Sequence, residues 1–480
     1  MNFIKKIPKI CFEAHFLFAI IAVIAGMCVI RTIPPLWGSD ETTHVSRVYQ
    51  LSHGTIIAPK DANGMYGGAI PVNIMALILF NAQETTGTPN VTTQEPPFAD
   101  RRDVRNPDGY TQYLAEPLSD QTELFAFPNT ASFSPLAYLG PLPGFALGQA
   151  MHASLGTVLD LARLSALLLY CAVITASLWL LRASRLKWLV FVVALFPTSV
   201  IQASLISVDG IVIATTILLF SAVIASRQGK RPLADNKLLT VIAAAAVVLP
   251  LTKPTYFPVL AILFFVPPGM FAQTWQRLTY KIGVPVLSLG MLVFWMFFTR
   301  AIAQNTAMIE GPEIAALVDP AKQVEFILSH PLDAIKTYIN TMLTNNQFFT
   351  IGAIGALGWN GFIPTALAFF AVFVLTTALL YRDEKSEPER PLRLTSLLAG
   401  LAAIGMVFTT FYVAYTPVGL QTIYGVQGRY FIAVLPMIGY GLQAVIPFRL
   451  AGTFNPALWF GGSAAFLLAA SLVFYHGILY

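Results

Sequence analysis

The sequence predicts an all-α polytopic integral membrane protein, folded as a single domain over residues 1–480. Three observations lead there. Hydrophobic residues make up 56% of the 480 positions and charged residues only 11%, whereas a soluble globular chain carries roughly 25% charged residues. The mean hydropathy is +0.67. The apolar runs are continuous rather than alternating, which speaks against a β-barrel. So little charge does not coat a soluble surface of this size, and an ordinary cytosolic enzyme, a disordered chain and a small disulfide scaffold are excluded. Cys11, Cys28 and Cys171 lie in or beside apolar runs, without the Cys/His spacing of a zinc site. The net charge of +5 is too mild and dispersed for nucleic acid and reads as basic loops.

A span needs about 20 apolar residues, and eleven candidates follow in order: 12–30, 158–181, 188–206, 210–226, 238–252, 257–271, 282–300, 361–381, 394–414, 431–448 and 456–475. The first follows Lys5, Lys6 and Lys9 and precedes Arg31-Thr32 and Pro34-Pro35 with no small-residue cleavage site. It reads as an uncleaved signal anchor with a cytoplasmic N-terminus. The alternate loops then hold Arg182/Arg185/Lys187, Arg227/Lys230/Arg231/Lys237, Arg277/Lys281, Arg382/Lys385/Arg390/Arg393 and Arg449. Every short loop on that side is basic, as the positive-inside rule requires, and the C-terminus falls outside. Two long segments face outward. The first, 31–157, holds nearly all the non-apolar chemistry and an apolar stretch, Phe133–Leu155, read as a helix in the outer interface. The second, 301–360, holds an amphipathic stretch from Pro320 to Asn346. The single sequon, Asn90-Val91-Thr92, is a weak signal.

Four stretches carry candidate chemistry. After the first span, Pro34-Pro35 stops the helix, and Ser39 or Asp40 is placed to N-cap a new one. On it Asp40, His44 and Arg47 share a face, with Glu41 adjacent. The carboxylates either present chemistry at the membrane surface or merely favour the helix's positive end. Asp209 lies at the outer end of a span, where an acid is costly unless exposed, paired or functional; otherwise it is a loop cap. Leu251-Thr-Lys-Pro-Thr-Tyr256 breaks an apolar region, and such breaks line cavities. Its Lys253 either meets an anionic ligand or snorkels. In Gly425-Val-Gln-Gly-Arg-Tyr430, Arg429 carries a fork suited to phosphate, or anchors the interface with Tyr430.

Taken together and in order, these stretches resemble the bacterial membrane-protein family called domain of unknown function 2142. The proline pair with Asp40, Glu41, His44 and Gly54, the stretch ending at Asp209, Lys253-Pro254-Thr255-Tyr256 and Gln427-Gly428-Arg429-Tyr430 fit its pattern. The match covers most of the chain. One departure is Gly358-Trp359-Asn360-Gly361, where an Asp is expected and Asn360 cannot serve as a base.

The family in turn resembles the GT-C glycosyltransferases, which take a sugar from a polyprenyl-phosphate carrier on the outer face of the membrane. A first span, a long outer loop opening with an acid, and Arg163 at the start of the second span repeat that layout. The resemblance implies Asp40 as general base and Glu41 as second choice. It also implies a substrate-binding set of His44, Arg47, Asp209, Lys253, Tyr256, Gln427, Arg429 and Tyr430. The implied partners are a polyprenyl-phosphate-linked sugar donor, a cell-envelope acceptor (glycan, lipid or protein) and the lipid bilayer of the bacterial cytoplasmic membrane. No metal ligands are assigned. Some members of the class use a divalent cation such as Mg or Mn, for which Asp40, Glu41 and Asp209 offer oxygens. The rival functions are a transporter or flippase, which more often shows internal repeats, and a non-catalytic subunit for lipid-linked surface glycans.

Overall fold

The computed structural model describes residues 13–61, 64–84, 112–303, 316–358, 361–383, 390–450 and 454–479. Lys5, Lys6, Lys9, Cys11, the Asn90 sequon, Trp359, Asn360 and Lys385 lie outside the described residues.

The chain is an all-α, multi-pass membrane bundle. Helix α1 (Ala14–Thr32) leads into the short helix α2 (Glu41–Ser52), and strand β1 (Gly67–Pro71) runs straight into α3 (Val72–Glu84). Strand β2 (Thr122–Ala126) pairs antiparallel with β1, Gly67 facing Ala126 and Pro71 facing Thr122. Then come a one-turn α4 (Pro128–Ala131), α5 (Pro141–Ala150) and the long α6 (Leu155–Leu180). Next are α7 (Leu186–Ala194), α8 (Pro197–Ala203), α9 (Asp209–Ser226) and α10 (Asp235–Thr252). A 3₁₀ segment, Pro254–Phe265, precedes α11 (Thr274–Ala303). The second half holds α12 (Pro320–Ser329), α13 (Pro331–Thr344), α14 (Asn346–Gly355), α15 (Thr365–Leu380), α16 (Arg390–Ala414), a second 3₁₀ segment Gly428–Val434, α17 (Leu435–Leu442) and α18 (Pro456–Leu479).

Seven of the eleven expected spans are unbroken helices long and apolar enough to cross a membrane: α1, α6, α9, α10, α11, α16 and α18. The other four are broken or short, and proline accounts for most of it. The 188–206 stretch is α7 and α8, bent by 64° at Phe196-Pro197. With that pair counted as one span, the described residues hold eight. The 257–271 stretch lies mostly in the 3₁₀ segment begun by Pro254 and containing Pro258. The 361–381 stretch shortens to α15, which starts after Pro364. The 431–448 stretch is 3₁₀ and then the eight-residue α17, with Pro436 near its start.

The Phe133–Leu155 stretch is also shorter than expected. It is a 3₁₀ turn (Pro135–Tyr138) followed by α5, and α5 packs along α6. Two glycines make the approach close: a Cβ on Gly144 would lie 1.9 Å from the Leu161 carbonyl oxygen, and one on Gly148 2.9 Å from the Val158 Cα. The main core runs through α1 and α6–α10 to α18, and a second cluster under the first loop joins α2, α3, α5 and the start of α6. Through that second cluster Val45, Val48 and Phe145 hold α2 against the bundle. Helix α11 is different, with most of its apolar side chains, Phe294 and Phe297 among them, exposed to the surroundings.

Backbone approach at Gly144 makes a size change costly. Gly144→Ala is expected to lower stability by about 1–3 kcal/mol, the usual cost of overpacking. Gly290→Ala in α11, where an added Cβ meets nothing within 4 Å, should be neutral or slightly stabilising. Thermal unfolding of both purified variants in the same detergent checks the contrast.

Candidate functional site

Two charged assemblies lie side by side where α1 hands over to α2. The first is sealed. Glu41, the first residue of α2, is 1% exposed and Arg163 of α6 is fully buried. Arg163 Nε donates to Glu41 Oε1 at 2.8 Å and one terminal nitrogen to Oε2 at 2.6 Å. The guanidinium also donates to the carbonyls of Ile33 at 2.7 Å and Pro34 at 3.0 Å. The carboxylate in turn accepts from Gly38 N and from Ile206 N, each at 3.0 Å. The pair therefore ties the end of α1, the start of α2, α6 and the 204–208 loop at one point. Glu41 thus faces a cation and backbone donors, not the second assembly.

The second assembly joins four charged residues from four parts of the chain. Arg429 donates to Asp40 Oδ2 at 2.5 Å, and its Nε stands 3.1 Å from Asp209 Oδ2. Lys253 Nζ lies 3.0 Å from Asp209 Oδ1. Tyr430 completes the group: Arg429 donates to its hydroxyl at 3.1 Å, and Lys253 Nζ sits 3.8 Å from its ring centroid, a favourable cation–π geometry. Two cations face two carboxylates, so the assembly is neutral within itself. Arg429, Asp209 and Lys253 are 4%, 10% and 12% exposed, while the Asp40 side chain is 26% exposed. Asp40 is thus the opening to the site. Among the described residues, the buried Nη1 of Arg429 finds no hydrogen-bond partner.

Local sequence explains each placement. Asp40 precedes α2 in a left-handed conformation, φ +59°, and its side chain caps nothing. The expected N-cap role is therefore absent; the carboxylate turns to Arg429 instead. Asp is among the residues that best tolerate this backbone region. Asp209 begins α9 and Lys253 ends α10, just before Pro254 stops the α-helical pattern. Gln427 is half-buried, and its carbonyl accepts from Tyr430 N at 3.1 Å. Gly428 is required by contact: a Cβ there would stand 2.0 Å from the Phe349 carbonyl oxygen of α14. Tyr256, buried, donates to the Tyr430 carbonyl and steadies the turn carrying Arg429.

His44 and Arg47 stand apart from the ion pairs. His44 is buried, with Nδ1 2.9 Å from the Tyr138 hydroxyl. Burial lowers its pKa to about 4, so it is neutral at ordinary pH. Arg47, also fully buried, bonds the Gln50 side chain and the carbonyls of Ile56 (2.6 Å), Phe133 (3.2 Å) and Thr55 (3.4 Å). It clasps the first loop to α2. Sequence reasoning noted Arg163 but not its pairing with Glu41, and it missed Tyr138 altogether. An arginine in the first turns of a long, largely apolar helix, three residues after Asp160, was the signal that a buried partner had to exist. Among the described residues no group of three His, Cys, Asp or Glu side chains is arranged to hold a metal ion. Each of Asp40, Glu41 and Asp209 faces a cation instead.

Residues 23–438 match the family model described as "Predicted membrane protein (DUF2142)". The chain belongs to this family. The matched region contains both assemblies, from Asp40 to Tyr430. Neither the curated proteins nor the solved structures give a match to the chain.

Two outcomes follow from the geometry. Glu41→Gln leaves the buried Arg163 without its counter-charge and is expected to cost about 3–5 kcal/mol, read by thermal unfolding. The unfolded chain takes up a proton at His44 near pH 6.5 and the folded chain only near 4. Stability is therefore expected to fall as pH drops from about 6.5 toward 4, by up to about 3 kcal/mol. His44→Gln should flatten that part of the profile.

Proposed function

We propose that this protein is a GT-C-type membrane glycosyltransferase, moving a sugar from a polyprenyl-phosphate donor to a cell-envelope acceptor. In this reading the orientation expected from the basic loops holds, and the reaction takes place on the outer face of the cytoplasmic membrane. The observation that carries the reading is the half-open carboxylate of Asp40 bonded to the buried fork of Arg429, with Lys253 one carboxylate away. Transfer from a lipid phosphate needs a base for the acceptor hydroxyl and cations for the departing phosphate. Both are present within one assembly, at the end of several helices that cross the membrane.

In this reading the donor phosphate approaches Arg429, whose Nη1 is without an acceptor among the described residues, and Lys253. Competition from the phosphate loosens the Arg429–Asp40 pair. Asp40 then accepts the proton of the acceptor hydroxyl as that oxygen bonds to the sugar's anomeric carbon. The carbon–oxygen bond to phosphate breaks, and its electron pair leaves with the polyprenyl phosphate, held by the two cations. Asp209 keeps Lys253 and Arg429 aimed at one place. Neutral His44, fixed on Tyr138, lies beside the assembly as a hydrogen-bonding group rather than a cation. A structural role for Asp40 alone accounts less well for its exposure and its lack of a capping bond.

Complementation of a deletion strain tests this. Wild type, Asp40→Asn and Arg429→Lys are expressed at matched levels, and surface glycans and lipid-linked sugars are compared by mass spectrometry. The expected result is that deletion removes one sugar and its polyprenyl-phosphate donor accumulates. Asp40→Asn should lose 10²-fold or more of transfer, about the contribution of a general base, in protein shown to be folded by thermal unfolding of the same variant. Full restoration of the glycan by Asp40→Asn overturns the assignment.

A further inference from the structure

A second charged place lies at the opposite end of α1 from Asp40, about 28 Å of helix away. There a groove of about 740 Å³ runs between the first turn of α1 and the last turns of α6. Phe16 of α1 and Ala172, Thr175, Ala176 and Trp179 of α6 line it. Phe16, Ala172 and Ala176 are exposed, so the groove opens sideways to the surroundings of the bundle. From Ala172 to Trp179 it follows α6 for about 10 Å. That is about two-thirds of one leaflet of a hydrocarbon layer of about 30 Å.

The groove ends in a charged hollow of about 260 Å³, and Glu13 and Arg182 line both. Arg185, Lys187, Tyr381 and Asp383 also line the hollow. Its two acids are already engaged. Asp383 Oδ2 accepts from the Ser184 hydroxyl at 2.8 Å and from Arg185 N at 2.9 Å. Glu13 stands 3.9 Å from Lys187 Nζ. The Arg185 guanidinium lies over the Tyr381 ring, 4.5 Å from its centroid. Arg182 differs. It lies over the Trp179 ring at 4.3 Å and donates to the Trp179 carbonyl at 3.2 Å, and it pairs with no carboxylate among the described residues. Three cations against two carboxylates leave the hollow with one positive charge. A phosphodiester with one negative charge neutralises it, whereas a zwitterionic head leaves it unchanged. The fork of an arginine suits phosphate.

We propose that groove and hollow together bind one anionic phospholipid, with its phosphate on Arg182 and Lys187 and an acyl chain along Ala172–Trp179. A free anion would use the hollow and leave the groove open; a phospholipid fills both, because its chains start where its phosphate ends. Lys187 Nζ is held at the hollow by the Arg182 carbonyl, at 2.8 Å, so the two cations stand ready at one place. The bound lipid joins α1 to α6 and, through Arg185 and Asp383, to the end of α15. The site is independent of glycosyl transfer, since it lies at the other end of α1 from Asp40 and shares no residue with the assembly around Arg429.

The test uses the purified full-length chain in phosphatidylcholine nanodiscs and a phosphatidylglycerol carrying a diazirine in one acyl chain. After photolysis the adducts are mapped by peptide mass spectrometry. Adducts are expected at Phe16 or within 172–179, and unlabelled phosphatidylglycerol should compete them away. Arg182→Gln should lower this labelling about 10-fold or more, the weight of a hydrogen bond to a charged group. Arg182 is exposed, and thermal unfolding in phosphatidylcholine confirms that the variant is folded. Ala176→Trp, which fills the groove from an exposed position, should lower labelling as well. Arg277→Gln removes an exposed cation that does not line the hollow and should leave labelling unchanged. An equal loss in Arg277→Gln means general attraction to positive charge and overturns the site. Full labelling in Arg182→Gln, or equal labelling of these segments by a phosphatidylcholine diazirine probe, overturns it too. Displacement of the probe by glycerol 3-phosphate at the same concentration assigns the hollow to a free phosphate and overturns the lipid.

Discussion

The buried pair of Glu41 and Arg163 is the constraint on which the rest of the site depends. Two charges inside an apolar bundle are tolerable only when every donor and acceptor finds a partner, and here they do. The guanidinium meets one carboxylate and two carbonyls; the carboxylate meets one guanidinium and two backbone amides. Those partners come from the end of α1, the turn before α2, α6 and the loop before α9. Fixing them together sets where Asp40 emerges, one residue before Glu41, and where Asp209 starts its helix, three residues after Ile206. The position of the outer assembly is thus inherited from the inner one.

The two assemblies divide the work that a single acidic pair suggests. Glu41 is closed on all sides and serves the fold. Asp40, its neighbour in sequence, points the other way and stays partly open. The left-handed backbone at Asp40 separates them, because a regular helical start would place both carboxylates at the same helix end. The outer assembly is also balanced: Arg429 and Lys253 offset Asp40 and Asp209. In a medium of low dielectric such a paired set is far less costly than any one of its charges left alone.

Much of this was legible in the sequence. Continuous apolar runs identified the seven unbroken spans, since length and composition suffice for helices that meet lipid or each other. Charged residues in apolar surroundings pointed to Asp40, Asp209, Lys253 and Arg429, because such residues need partners. The partners themselves were not legible. Arg429 reaches Asp40 across 389 positions and Arg163 reaches Glu41 across 122, and pattern alone does not rank such pairings. Arg47 shared a helical face with Asp40 on paper, yet backbone carbonyls of two loops captured it. The cap expected of Asp40 failed for the same reason, a stronger partner elsewhere. Proline positions were visible, but whether each kinks, shortens or converts a helix depends on the packing around it.

One feature of the fold bears on how the chain crosses the bundle. The segment Pro254–Phe265 is 3₁₀ over twelve residues, a long run for this conformation, which rises about 2.0 Å per residue. It extends about 24 Å, as far as the sixteen residues of α15 do at about 1.5 Å each. Both fall short of a hydrocarbon layer of about 30 Å. The 3₁₀ segment meets its neighbours rather than lipid, since Tyr256, Val259, Leu260, Ile262 and Leu263 are all buried. Its stretched rise therefore carries the chain from Lys253 across the bundle with fewer residues than an α-helix would need.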